Sequence, residues 1–526
     1  MKFKNLSELG IDYVKQTYSD KSLSWDERIG ILMGFFGKSE RTVRHWLVKL
    51  GIKEKADIEP PQLEDAKKRQ FDKTKKTFLI TWAQNDTPVH KKFLKNMEAY
   101  AEMRNADIHV IAGRYKNPTS VFTDKNFDTW KPEVVKYLDA NRHDIHKYVS
   151  ILSDVKIQPT ATNPMSGLEG MSGVNSCIFG SPKVQLEVIG ALEGYRPKLM
   201  LTTGAVTLKN YTDSKAGKKG EFHHILGFTI VEIKDDEKFF VRQVTATADG
   251  NFTDLFYSIK DEAVSRIDEI EAIVLGDVHL GQTDEAVMNA TVDLMEKIRP
   301  KHTVIHDLFD GYSISHHDMK DPVKMYRKSV EGKDSLKKEI DQMLEWIEKM
   351  RKYNLVIVRS NHDDFVDRWI INADWKKNVQ NSVEYMEYAK ILLEDKAPNG
   401  IIPYIINQRF KDVITLGRID TFKVKKWELA VHGDYGLNGS RGSVTQFRKL
   451  NTKLISAHSH TPGRKDGALI VGTSTKKRLG YNLGASSWFN SHVIVHKDGK
   501  AQHILFMDGE YTTLEFKRKK IFKKLY

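Results

Sequence analysis

Apolar residues follow two rhythms along this chain. From Trp25 to Phe36 they recur at helical spacing, with Ile29, Leu32, Met33 and Phe36 on one side. Gly37 then predicts a turn. Ser39 is placed to cap a second helix to about Leu50 that buries Val43, Trp46, Leu47 and Leu50. Arg41, Arg44, His45 and Lys49 remain on its other side, available to solvent or to DNA. Short helix, glycine turn and basic second helix make a helix-turn-helix pattern over 1–55; a small helical module for protein contact is the alternative.

The charged stretch 56–76, with Pro60-Pro61, reads as a linker. Beyond it the rhythm changes. Thr77–Trp82 and Asp107–Ala112 predict strands around a helix over about 89–103, an α/β unit with a parallel pair. This middle α/β accessory domain extends to about 255, with further strands at 198–201, 224–232 and 239–245. Loops are expected at 160–173 and 213–220, and Gly217-Lys218-Lys219-Gly220 reads as an exposed basic turn. No phosphate-binding loop is present: Gly167, Gly170 and Gly173 have the wrong spacing and no strand leads into them.

A third region, 267–500, repeats one arrangement. An apolar strand runs into polar side chains and then a helix. Ala272–Leu275 leads to Gly276-Asp277-Val278-His279, and His302–Ile305 leads to His306-Asp307-Leu308-Phe309-Asp310. After a long helix over about 330–351, Leu355–Val358 leads to Ser360-Asn361-His362-Asp363. Later apolar runs end at His432 and at Ala457-His458-Ser459-His460. Functional loops at carboxyl ends of strands are the rule for such folds. Asp277, His279, Asp307, Asn361, His432, His458 and His460 offer the oxygen and imidazole donors that hard or borderline divalent metals take. Residues 501–526 are expected to form a last strand and a basic tail.

Composition narrows the class. The chain has 526 residues, too many for one ordinary core, and its 40% hydrophobic and 29% charged residues fit a soluble globular protein. A net charge of +13 favours polyanionic partners, nucleic acid or an anionic membrane face. The single cysteine, Cys177, excludes an internal disulfide and a cysteine zinc cage and suits a reducing compartment. No apolar run is long enough to span a bilayer, so a cytoplasmic location is expected.

The ordered motifs Asp277-Val278-His279, Asp307-Leu308-Phe309-Asp310, Asn361-His362-Asp363, His432 and His458-Ser459-His460 resemble those of the calcineurin-like metallophosphoesterase family, in particular its double-strand-break-repair nuclease branch. The whole chain resembles the pre-early first-step DNA-transfer DNases of large tailed phages. The resemblance implies a four-layer core of two packed sheets flanked by helices and two divalent metal ions. Manganese is preferred for its imidazole-rich donor set, magnesium is the next choice, and zinc or iron fit the same donors. By position, Asp277, His279 and His460 would hold one metal, Asn361, His432 and His458 the other, and Asp307 both. His362 would face the scissile phosphate as the catalytic residue, while Asp310 and Asp363 would orient neighbours. Three family glycines are replaced, by His306, Ser360 and Ala457; His306 is expected either to pack away from the metals or to support a ligand.

These features and the resemblance together predict a metal-dependent phosphodiesterase of the deoxyribonuclease type that binds DNA; the resemblance alone further implies self-association, phage or host protein partners and a place in the host-cell cytoplasm. The competing readings are a phosphatase or phosphodiesterase on another substrate, and a non-catalytic DNA-binding regulator. Arg368, Trp369, Trp375, Lys376 and Lys377 after His362, with Arg409, Lys411, Arg418 and Lys423, could track a phosphate backbone, and the same question applies to Arg478 and Trp488.

Overall fold

The computed structural model describes residues 8–20, 22–23, 25–52, 74–115, 130–480 and 482–514. Most of the expected linker at 56–76, all of the basic tail at 517–524 and the side chain of Arg41 lie outside the described residues. The chain divides into two compact units, Met1–Asp65 and Ala66–Tyr526. None of its described helices is long and apolar enough to cross a membrane.

The first unit holds helices Glu8–Ser19, Trp25–Phe36 and Glu40–Lys49. They pack through Val14, Ile29, Leu32, Val43, Trp46 and Leu47. The Ser39 hydroxyl accepts the Thr42 N–H as a helix cap, and Gly37 supplies the turn at φ +58°. His45 and Lys49 are exposed and Arg44 is half-buried. The first helix buries only Gly10 and Val14, too little apolar surface to show in the sequence pattern.

The second unit is built on strands. Among the described residues, ten lie between Thr77 and Thr245: β1 (Thr77–Gln84), β2 (Asp107–Gly113), β3 (Leu138–Asp139), β4 (Arg142–His146), β5 (Val149–Leu152), β6 (Ser176–Phe179), β7 (Leu186–Ile189), β8 (Lys198–Thr202), β9 (Gly227–Ile233) and β10 (Phe239–Thr245). A small meander follows, β11 (Phe252–Asp254), β12 (Tyr257–Lys260) and β13 (Ala263–Arg266). The remaining strands are β14 (Ala272–Val274), β15 (Thr303–His306), β16 (Leu355–Val358), β17 (Ile414–Leu416), β18 (Lys423–Val424), β19 (Trp427–Glu428), β20 (Lys453–Ser456), β21 (Gly463–Lys465), β22 (Ala468–Ile470), β23 (Ser491–Val495) and β24 (Ala501–Leu505).

They form sheets of order β10-β9-β1-β2-β3, β11-β12-β13, β17-β16-β15-β14-β23-β24 and β18-β19-β20-β22-β21-β7-β8-β6-β5-β4. The last sheet joins the stretches 77–255 and 267–500 by pairing Arg464 of β21 with Leu186 of β7.

Alternation explains how the layers close. Ala272 and Val274 of β14, Val304 of β15 and Val356 and Val358 of β16 face Leu429, Ile455, Leu469 and Val471 of the opposing sheet. The intervening Ile273, Ile305, Leu355 and Ile357 face the opposite way, into a core shared with helices Glu285–Ile298 and Leu336–Met350. These strands are therefore apolar on both faces, as expected for parallel strands between layers. The four-residue helix Val444–Phe447 covers the other sheet through Phe447, Leu454 and Ala468.

Two expectations change. Gly217–Gly220 lies inside helix Lys215–His223, capped by Ser214, rather than in a turn. The long helix expected over 330–351 starts later, as Leu336–Met350 capped by Ser335, and a separate helix Pro322–Val330 precedes it, with Gly332 turning between them at φ +64°.

Candidate metal centre

Each central strand of the six-stranded sheet delivers a motif at its carboxyl end. Asp277 and His279 follow β14, Asp307 follows β15, and Asn361 and His362 follow β16. His432 follows β19, and His458 and His460 follow β20. Donor atoms of Asp277, His279, Asp307 and His460 all lie within 4.8 Å of one another, as do those of Asp307, His432 and His458. Asp307 belongs to both groups. Its Oδ2 is 3.4 Å from His279 Nε2 and 3.2 Å from His432 Nε2. His460 Nε2 is 3.2 Å from Asp277 Oδ2, and Asn361 Oδ1 is 2.9 Å from His432 Nε2.

The backbone is distorted to aim these groups. His279, Asp307, His458 and His460 have φ of +44°, +46°, +72° and +57°, a left-handed conformation that non-glycine residues seldom adopt. Such strain persists where surrounding structure enforces it, commonly at functional sites.

The donor set fits divalent cations. Both Asp277 oxygens, Asp307 Oδ1 and Nδ1 of His432 and His460 are buried without a hydrogen-bond partner. A buried carboxylate oxygen left so is costly, and a cation is the natural partner. Burial would lower His279 and His432, but the surrounding carboxylates together outweigh it, Asp307 with Asp310 and Asp277 at His279 and Asp307 with Asp277 and Asp434 at His432, and raise each to about 9. Burial prevails at His458, lowered to about 4. Burial would raise Asp307, yet His432, His362 and His279 hold it well below the usual carboxylate range.

The supporting residues separate by role. Asp310 Oδ1 is 2.9 Å from His279 Nδ1, and its backbone carbonyl accepts His362 Nδ1–H at 2.6 Å. His279, Asp310 and His362 thus form a third close group, and His362 keeps part of its ring exposed. The Asp363 carboxylate accepts the Ser360 N–H and shapes the loop before Asn361. His306 stacks on His432 with ring centroids 5.6 Å apart, and burial lowers it to about 3, so it packs as a neutral ring.

Of the suggested basic and aromatic track, Arg368, Lys376, Lys377, Arg409, Lys411 and Lys423 are exposed, whereas the other members are wholly or partly covered. Trp369 is buried, and Arg418 bonds Asp364 and Asp434. Arg478 donates to the carbonyls of Asn482, Gly484 and Ala191. Trp488 is different: half-buried, it meets the His460 ring edge-on at 4.1 Å.

No family model matches the sequence, and no solved structure matches the fold. One curated relative, Protein A1 of Escherichia phage T5, is 31% identical over 468 residues, covering 83% of this chain and 83% of its own. The α/β core with facing sheets and the Asp/His groups are those of a metallophosphoesterase-like, metal-dependent hydrolase. With identity and coverage of this extent, the chain belongs to the family of Protein A1.

Proposed function

We propose that the protein is a two-metal-dependent DNase that hydrolyses DNA phosphodiester bonds and degrades host DNA during phage infection. The carrying observation is that Asp307 is shared by two donor groups, so a single carboxylate faces two adjoining cation positions. Asp277, His279 and His460 would complete one position, and Asn361, His432 and His458 the other. When bound, the cations, manganese by preference, would offset the charge of the phosphate oxygens and lower the pKa of an attacking water.

The chain's own residues do the rest. Asp310 fixes the orientation of His279 through Nδ1, which turns Nε2 toward the shared carboxylate. His362 donates Nδ1–H to the Asp310 carbonyl; when Nε2 carries a proton as well, that N–H can hydrogen-bond the phosphate or pass its proton to the leaving sugar oxygen, leaving the ring neutral. The phage source of Protein A1 and the net charge of +13 support DNA as the substrate.

Linear and circular DNA incubated with Mn²⁺, Mg²⁺ or a chelator test the reading. Cutting is expected only with a divalent metal, with Asp307→Asn reducing it by at least about 100-fold and His362→Ala by roughly 100- to 10,000-fold. Undiminished cutting by Asp307→Asn, or turnover of nucleotides or phosphoproteins in place of DNA, would overturn it.

A further inference from the structure

Strands β1–β10 and β14–β24 repeat one topology. In the first, β1–β2 and β2–β3 are parallel while β1–β9 and β9–β10 are antiparallel. In the second, β14–β15 and β15–β16 are parallel while β14–β23 and β23–β24 are antiparallel. The opposing sheets agree as well. Antiparallel β4–β5, parallel β5–β6 and β6–β8, and antiparallel β7–β8 answer to antiparallel β18–β19, parallel β19–β20 and β20–β22, and antiparallel β21–β22.

Isolated bridges recur too: Trp82–Ala205, Ala205–Leu226 and Val89–Thr207 against Asp277–Thr473, Thr473–Asn490 and Thr283–Thr475, with the same sense in each case. A helix joins the first two strands of each set, Lys91–Met103 capped by His90 and Glu285–Ile298 capped by Asp284. The sets meet through counterparts, β7 with β21, as a two-fold arrangement requires.

In the first set the metal-binding end has changed. Thr81-Trp82-Ala83-Gln84 runs where Gly276-Asp277-Val278-His279 does in the second. Ile111-Ala112-Gly113 stands for His306-Asp307-Leu308, and Gly180-Ser181-Pro182-Lys183 for Ala457-His458-Ser459-His460. No carboxylate or imidazole remains in these three segments. The strain has gone with them, because none of their residues has a positive φ. The Trp82 indole is buried across the strand ends. A Cβ on Gly113 would lie 1.9 Å from its Nε1, and one on Gly180 would lie 2.6 Å from its Cδ1, so both positions must be glycine to admit the ring.

The first set still reaches the metal centre of the second. Ala191, in the β7–β8 hairpin, exchanges backbone hydrogen bonds with Ser486 at 3.0 and 2.9 Å, and its carbonyl accepts from Arg478. The Ser486 hydroxyl accepts the Trp488 N–H, and the Trp488 ring lies against His460. Leu192 and Tyr195 of this hairpin are exposed beside that loop, as is Leu483 within it.

We infer that Thr77–Thr245 is a second copy of the phosphoesterase fold, closed to metal by Trp82, which acts in cis by lending its β7–β8 hairpin as a wall that holds the DNA strand beside the working centre. Apolar and aromatic side chains at such a wall can stack on bases irrespective of sequence. The inference rests on the two-metal DNase reading, and two measurements on the full-length chain separate their failures.

Metal analysis after Mn²⁺ loading is expected to give two ions per chain, not four, and to fall with Asp307→Asn; four ions, or two unaffected by that change, would overturn the closed copy. Leu192→Ala/Tyr195→Ala is expected to raise KM for linear DNA at least fivefold while leaving turnover of the small diester bis(4-nitrophenyl) phosphate within twofold. Equal loss on both substrates, or on neither, would overturn the wall. Wild-type protein that hydrolyses the small diester but no DNA would defeat the DNase reading and the wall, while the metal count would still decide whether the first copy is closed.

Discussion

His279, Asp307, His458 and His460 share a conformation that costs roughly 1–3 kcal/mol per residue, and they do so at one site. The surrounding strands hold this strain, and Asp310 adds the restraint that backbone alone cannot supply, the rotation of the His279 ring. Asp310→Ala is therefore expected to leave the fold intact but weaken metal binding by roughly 10- to 100-fold. Asp310→Asn, which keeps an acceptor for Nδ1–H, should recover part of that loss. Calorimetric titration with Mn²⁺ checks both variants, and unchanged affinity in the alanine variant would show that His279 needs no such support. Donor identity was readable because each ligand type follows an apolar strand. The left-handed backbone was not, since even aspartate and histidine, which adopt a positive φ more often than most residues, do so only in a minority of positions.

Among elements, β9, β10 and β11 are tied by a buried ion cluster. Arg242 donates to Glu232 at 2.9 Å and to both Asp254 oxygens, and Arg104 adds a second cation to Glu232. Glu232 also accepts Thr512 Oγ1–H and Thr513 N–H, fastening the segment after β24. Burial would raise the Glu232 pKa, but Arg242 and Arg104 outweigh it and lower it from 4.5 to about 2. A carboxylate depressed on folding stabilises above its unfolded pKa and loses that contribution as pH falls through its folded one. The melting temperature should thus decline between about pH 4.5 and 2, and Glu232→Gln should flatten this decline while costing about 3–5 kcal/mol at neutral pH. An equally steep acid transition in the variant would place the effect elsewhere. Strand rhythm located β10 and β16 at their observed limits, Phe239–Thr245 and Leu355–Val358. It missed β4–β7, which are only four or five residues long and too short to show a clear alternation. It also missed helices Asp364–Asn372, Ser382–Leu393 and Ile401–Arg409, which were read only as an insertion carrying basic and aromatic residues. The repeated topology was hidden because, with Trp82 and Ala112 where ligands stand in the other copy, only strand order and pairing sense preserve the kinship.

At the scale of the whole molecule, the candidate metal centre and the candidate DNA contacts fall in different compact units. The metal-binding residues lie in Ala66–Tyr526, whereas Arg41, Arg44, His45 and Lys49 belong to Met1–Asp65. If that first unit grips the phosphate backbone as its helix pattern suggests, its contribution is electrostatic and registers as counterion release. Each phosphate neutralised adds about 0.9 to the slope of log affinity against log salt concentration, so losing Arg41, Arg44 and Lys49 together should lower that slope by about 3. A chain lacking residues 1–65 is expected to show this lower slope and weaker duplex binding, while hydrolysing bis(4-nitrophenyl) phosphate at the parental rate. Anisotropy titrations across a salt series make the measurement. An unchanged slope would assign the helical unit to protein contact, and DNA capture would then fall to the strand-built unit.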